Sequence, residues 1–425
     1  MAASAESGLL RSIGKWELAG VAINGIIGAG IFGLPAKAFA LAGPYSILAF
    51  LACAVVVTLV VLCFAEAGSR YQATGGPYLY AREAFGSWVG FQVGWLTWLA
   101  RLSAFAANCN LLVAYVAYFW HGVDRVWLVC GIVLALAVIN VIGVRDAAVA
   151  SNVFTIGKLL PLVFFIGAGV FSLAPERFAV LAPPPFGDFS TAVLLLVYAF
   201  TGFEMAAIPA GEVRDPRRSM PLALLTAIGV VTGVYVLVQV VSIGTLPGLA
   251  GSERPLADAA GIFLGPAGSA LIAAGAIVSI AGNLNVLVLA ASRLPFAMAE
   301  RSEMPRIFAR THPRFRTPHY AILLTSGLML ALTVSGTFIY AVTISTLVRL
   351  ASYILTCAAV PVLRRKLGPA RFAVPGGSAA AVAAIALAVW LLANATLREA
   401  RDTAIAALVG LAVFVISTRF CRGTG

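Results

Sequence analysis

The stretch INGIIGAGIFGLP, Ile23–Pro35, decides how this chain is read. It lies within an apolar run, yet four of its thirteen residues are glycine (Gly25, Gly28, Gly30 and Gly33) and it ends on proline. A glycine inside a helix costs about 1 kcal/mol relative to alanine. A segment expected to be helical is thus weakened at its own middle.

Composition explains why helix is expected. Of 425 residues, 61% are hydrophobic and 11% charged, against about 25% charged in soluble proteins. This composition predicts an all-α integral membrane protein. Twelve apolar segments run at about 18–41, 45–67, 88–120, 126–144, 147–173, 191–210, 222–243, 267–299, 320–334, 338–362, 379–395 and 404–420. Each is near the ~20 residues a helix needs to cross the hydrocarbon core. The ~10-residue alternating segments of a membrane barrel are not seen.

The opening residues, MAASAESGLLRSIGKWE, lack the apolar core and small-residue cleavage site of a signal peptide. Basic clusters fall on one side of the predicted topology, at Arg214, Arg217 and Arg218, at Arg301, Arg306, Arg310, Arg314 and Arg316, and at Arg364, Arg365 and Lys366. The opposite loops carry only Arg125, Arg177, Arg254, Arg398 and Arg401. This positive-inside bias places both termini in the cytoplasm, and the expected location is a bacterial inner membrane. The net charge of +12 is therefore a topology signal. It forms no compact basic domain for nucleic acid. The cysteines Cys53, Cys63, Cys109, Cys130, Cys357 and Cys421 show no metal or redox spacing and read as packing residues. There is no GxxxxGK[ST], HExxH or GxSxG motif, so no enzyme, metal site or cofactor is expected.

A second interruption, YAFTGFEMAAIP, falls in the sixth segment. Gly28 precedes Pro35 by seven residues, and Gly202 precedes Pro209 by seven. Matching interruptions in two halves of a membrane chain point to a transporter's binding site. The whole chain, 1–425, then reads as one transport domain. One five-helix repeat spans about 16–173, an inverted second spans about 189–363, and two appended helices lie at about 379–420. Breaking a helix exposes N–H groups at one half and C=O groups at the other. Inside a bilayer these ends must be buried or line a polar cavity. The N–H end suits a carboxylate and the C=O end an ammonium, so a zwitterionic amino acid fits both.

GAGIFGLP, GGPYLYAREAFG (75–86), FTGFE (200–204), GEVRDPRRSMP (211–221) and EMPRIFARTHPRFRTP (303–318) resemble, in order and spacing, the amino acid–polyamine–organocation permeases. The resemblance implies a LeuT-like fold, with helices 1, 2, 6 and 7 rocking against a scaffold that includes helices 3, 4, 8 and 9. It implies that Ala29 and Gly30 donate backbone N–H groups to the substrate carboxylate, with Gly28 and Gly202 at the breaks. The carbonyls of Ile26, Tyr198 and Thr201 would hold the amino group, and Tyr198 or Phe200 would close over it as an outer gate. Lys158, in TIGKLLP, matches a lysine whose ammonium replaces sodium in several members. This implies sodium-independent transport by proton coupling or by exchange. Many relatives have Ser at the position of Ala29.

Ionisable groups within the bilayer are costly and become functional candidates. Glu204 follows the second break by two residues, where it can cap a helix end or take part in gating. Arg101 and Arg349 are selectivity candidates. Facing a cavity, Arg101 would take an acidic side chain bidentately; facing the scaffold, it would only pair structurally. Asn283 and Asn285 could reach the substrate, but at i and i+2 they cannot share a helix face. The expected function is a secondary amino acid transporter for neutral or acidic substrates, with a polyamine or organic-cation permease, or a sensor with little flux, as alternatives. The expected partners are the substrate, the bilayer and, under proton coupling, protons. The sequence gives no oligomeric state.

Overall fold

A computed structural model describes residues 14–71, 76–142, 147–179, 182–207, 213–315, 317–370, 372–374 and 376–422. The amino-terminal stretch 1–13, Pro209 and Arg316 lie outside the described residues.

The first apolar segment is two helices, α1 (Lys15–Ile26) and α2 (Ala29–Ala42). Between them Ile27 is extended (φ −72°, ψ 98°), as is Gly28 (φ −133°, ψ −150°). A turn at Gly43–Tyr45 leads to α3 (Ser46–Gly68). Next come α4 (Gly76–Phe85), α5 (Ser87–Phe119), α6 (Arg125–Ile142) and α7 (Ala147–Gly169). The sixth segment is also divided, into α8 (Phe186–Phe200) and α9, described over Glu204–Ala207. After it follow α10 (Pro216–Thr245), α11 (Pro255–Glu300), α12 (His319–Ser335), α13 (Phe338–Leu367), α14 (Gly377–Leu392) and α15 (Leu397–Arg422).

Among the described residues, seven helical stretches are long and apolar enough to cross a membrane. Shorter apolar helices accompany them at 157–172, 186–200, 319–335 and 377–392. Two elements differ from the sequence reading. The stretch GGPYLYAREAFG contains the helix α4, whose ten residues are amphipathic and carry no membrane-length apolar run. A short helical portion from Pro255 precedes the eighth segment: α11 turns at Gly265 (φ 69°, ψ −168°), and the helix that resumes at Pro266 is the segment expected at about 267–299.

One continuous core of buried aliphatic and aromatic side chains runs through the molecule. The long helix α5 lies at its centre, packed along α11 and α13. Helix α1 packs on α10, α2 on α8, and α3 on α10 and α8. The two broken helices are thus held close, with α5 forming a wall beside them. Helix α15 is largely exposed on the outside, as suits a lipid-facing helix.

The two ends of the bundle are tied differently. At one, Glu66 is buried and receives Arg364 through two bonds of 2.6 Å, while Arg70 reaches the Gly368 carbonyl at 2.6 Å. Tyr78 on α4 donates to Glu303 at 3.1 Å and accepts from Arg82 and Arg301. At the other, Arg125 reaches the carbonyls of Thr333 and Gly336, satisfying the carboxyl-terminal end of α12. There Phe338 and Leu111 close over Gly33, where an added Cβ would meet them at 2.9 and 3.1 Å.

Candidate functional site

A cavity of about 170 Å³ lies where the two breaks meet. It is larger than the single-water sites that satisfy isolated buried polar groups. Its wall takes Ile26, Gly28, Ala29 and Gly30 from the first break, and Tyr198, Thr201, Gly202 and Glu204 from the second. It also takes Arg101 and Asn108 from α5, Lys158 from α7, Asn283 from α11 and Arg349 from α13.

Close backbone approach brings the breaks together. A Cβ on Gly25 would lie 2.7 Å from the Gly202 carbonyl oxygen, and a Cβ on Gly202 would strike the Gly25 carbonyl. Gly202 also has φ +110°, a region that favours glycine. A Cβ on Gly30 would lie 2.7 Å from Ala199 Cα, and one on Gly28 would run into the Asn283 amide. The Tyr235 hydroxyl lies 3.2 Å from the Ile26 carbonyl and 3.0 Å from that of Ala199, so one side chain of α10 bridges both breaks.

The polar ends are used unequally. The amino-terminal end of α2, at Ala29 and Gly30, has no side-chain cap. At the second break, Glu204 accepts from Gly202 N at 2.9 Å and from the Tyr353 hydroxyl at 3.1 Å. Its other oxygen pairs with Arg349. The Tyr198 carbonyl receives Thr201 Oγ1 at 2.8 Å, and the Tyr198 hydroxyl donates to Asn108.

The charge inventory of the wall is three cations, Arg101, Lys158 and Arg349, against one anion, Glu204. All four are buried. Among the described residues, Arg101 and Lys158 have no hydrogen-bond or ion-pair partner. Arg349 Nε is buried and likewise unpartnered, as is Asn24 Oδ1 in the same wall.

Of the site residues read from the sequence, two lie elsewhere. Phe200 is fully buried behind the wall, its ring 5.2 Å from Tyr235 and 6.4 Å from Phe50. Asn285 points away from Asn283 and accepts from Asn140 of α6 at 2.9 Å. The sequence reading did not single out Tyr235, Tyr353, Asn24 or Asn108. For Asn108 a signal existed: Arg101, Ala104 and Asn108 recur at helical spacing and form one stripe of the wall.

A family model described as "Amino acid permease" matches residues 13–414. The chain belongs to this amino acid permease family. The permease is 30% identical over 423 residues to the serine/threonine exchanger SteT of Bacillus subtilis, an alignment covering 96% of each chain. It is 26% identical to the branched-chain amino acid permease BcaP of the same species, covering 98% of this chain and 95% of that one. It is 27% identical to a methylthioribose transporter of that species, over 86% and 84% of the two chains. These relatives are permeases, exchangers and transporters, and the permease is a membrane transporter and not an enzyme.

Proposed function

We propose that this permease moves amino acids across the cytoplasmic membrane by alternating access, without sodium, through proton coupling or exchange. The observation that carries the reading is the uncapped amino-terminal end of α2 facing carbonyl ends across one buried cavity. The N–H groups of Ala29 and Gly30 take the α-carboxylate. The carbonyls of Ile26, Tyr198 and Thr201 take the ammonium. Ile26 already accepts one bond from the protein, and a carbonyl oxygen keeps a second lone pair. The Tyr198 carbonyl accepts two, from Thr201 N and Oγ1, so the ammonium would share it with Thr201. Tyr198 closes the wall above, and Asn283 lies against Gly28 at the break.

Lys158 supplies a fixed positive charge where related transporters of this fold hold sodium, so no sodium is needed. Glu204 caps the second break and holds Arg349, a role in shape and gating. The chain crosses the bilayer twelve times as two inverted five-helix repeats of LeuT-like type plus two appended helices, with both termini in the cytoplasm. Neutral or acidic amino acids fit the cationic wall. Polyamines and other organic cations fit poorly, because like charges repel in a low-dielectric site.

The test is uptake by proteoliposomes across the twenty amino acids, at two pH values, with and without sodium and internal substrate. Saturable uptake of a subset without sodium is expected. Uptake that requires sodium overturns the assignment of Lys158. Absence of uptake for every amino acid overturns the function.

A further inference from the structure

We infer that the cavity is built for an acidic amino acid, and that Arg101 is the residue that receives its side-chain carboxylate. The inference rests on the cavity being the transport site. It separates two arginines that the sequence left equivalent. Arg349 is already committed, because Glu204 pairs with it while also bonding Gly202 N and Tyr353. Arg101 is 3% exposed, lies in the cavity wall, and has no partner among the described residues. Glu204 attracts Arg101 across the cavity, but its oxygens are taken by Gly202 N, Tyr353 and Arg349. A buried guanidinium with no hydrogen-bonded anion is an unfavourable state, and its planar fork matches a carboxylate bidentately.

The charges agree. With three cations and one anion, the wall has a formal charge of +2. An acidic amino acid carries two carboxylates and one ammonium. Its α-carboxylate goes to the end of α2 and its ammonium to the carbonyls at the breaks, which leaves the side-chain carboxylate without a partner. Lys158 keeps its separate place in coupling. A neutral substrate would leave Arg101 desolvated and unpaired on closure, and a dibasic one would add a like charge.

The test compares each acid with its own amide, which has nearly the same shape and no side-chain charge. Binding of L-glutamate, L-glutamine, L-aspartate and L-asparagine is measured on the purified full chain in detergent. At least one acid is expected to bind about tenfold or more tightly than its amide. In Arg101→Ala that ratio is expected to fall towards one. Arg101→Gln, which keeps more of the side chain's volume, repeats the measurement should the alanine variant not stay monodisperse. A ratio near one in the unsubstituted protein overturns the inference, as does a ratio that survives loss of the guanidinium. A protein that binds neutral amino acids and rejects both acids removes this inference alone. A protein that binds none of the twenty removes the transport-site reading and this inference with it.

Discussion

The two broken helices share a cavity but are finished in opposite ways. Between α1 and α2 the chain passes through Ile27 and Gly28 in extended conformation, and no side chain caps the helix that follows. Between α8 and α9 the chain needs a left-handed glycine, whose own N–H is taken by Glu204 at the start of the next helix, and Glu204 is held in turn by Arg349 and Tyr353. An uncapped helix end in a bilayer is costly unless something else satisfies it. In the proposed function the first break is therefore the end that receives a ligand's anionic group. The second is a self-sufficient joint that positions carbonyls. Tyr235 fastens one to the other.

The sharpest way to break this comparison is Glu204→Ala. Removing one partner of a buried pair leaves an uncompensated charge on Arg349, and a loss of about 3–5 kcal/mol is expected. A thermal unfolding series in detergent measures it. A loss near zero would mean that the second break is not held by this pair. Gly202→Ala comes next: strain at φ +110° costs about 1–3 kcal/mol, and the new Cβ also strikes the Gly25 carbonyl. A variant as stable as its parent would contradict the contact between the breaks. Tyr235→Phe should remove about 1 kcal/mol, the usual worth of a buried hydrogen bond, and reduce transport without changing which amino acids are preferred. Gly28→Ala should have the smallest effect on stability, because its Cβ meets the end of the Asn283 side chain, which can turn aside. Its effect should appear in kinetics as a raised KM. If Gly28→Ala destabilised the fold more than Gly202→Ala, the roles of the two breaks would be reversed.

Both breaks were legible because glycines interrupt otherwise continuous apolar runs. Their relation was not. Glu204 and Arg349 are 145 positions apart, and nothing local in either stretch names the other as a partner. Tyr235 and Tyr353 sit in unbroken apolar helices, where an aromatic reads as core until its hydroxyl is seen to meet a carbonyl or a carboxylate. The spacing of Asn283 and Asn285 excluded a common face, and only packing showed which of them faces the cavity. Phe200 adjoins the break in sequence but turns behind the wall, because Phe50 and Tyr235 offer it an aromatic pocket. Helix α4 escaped notice because a ten-residue amphipathic helix carries no membrane-length apolar signal.

The central claim is that substrate occupies the uncapped end of α2. It is tested most directly by site-resolved labelling of Ala29→Cys in reconstituted vesicles with a small thiol reagent. Labelling at this position is followed by mass spectrometry, apart from the native cysteines, with and without a transported amino acid. The account predicts that the transported amino acid slows labelling in proportion to its occupancy, and that an amino acid the protein does not transport has no effect. An unchanged labelling rate at saturating substrate would contradict it.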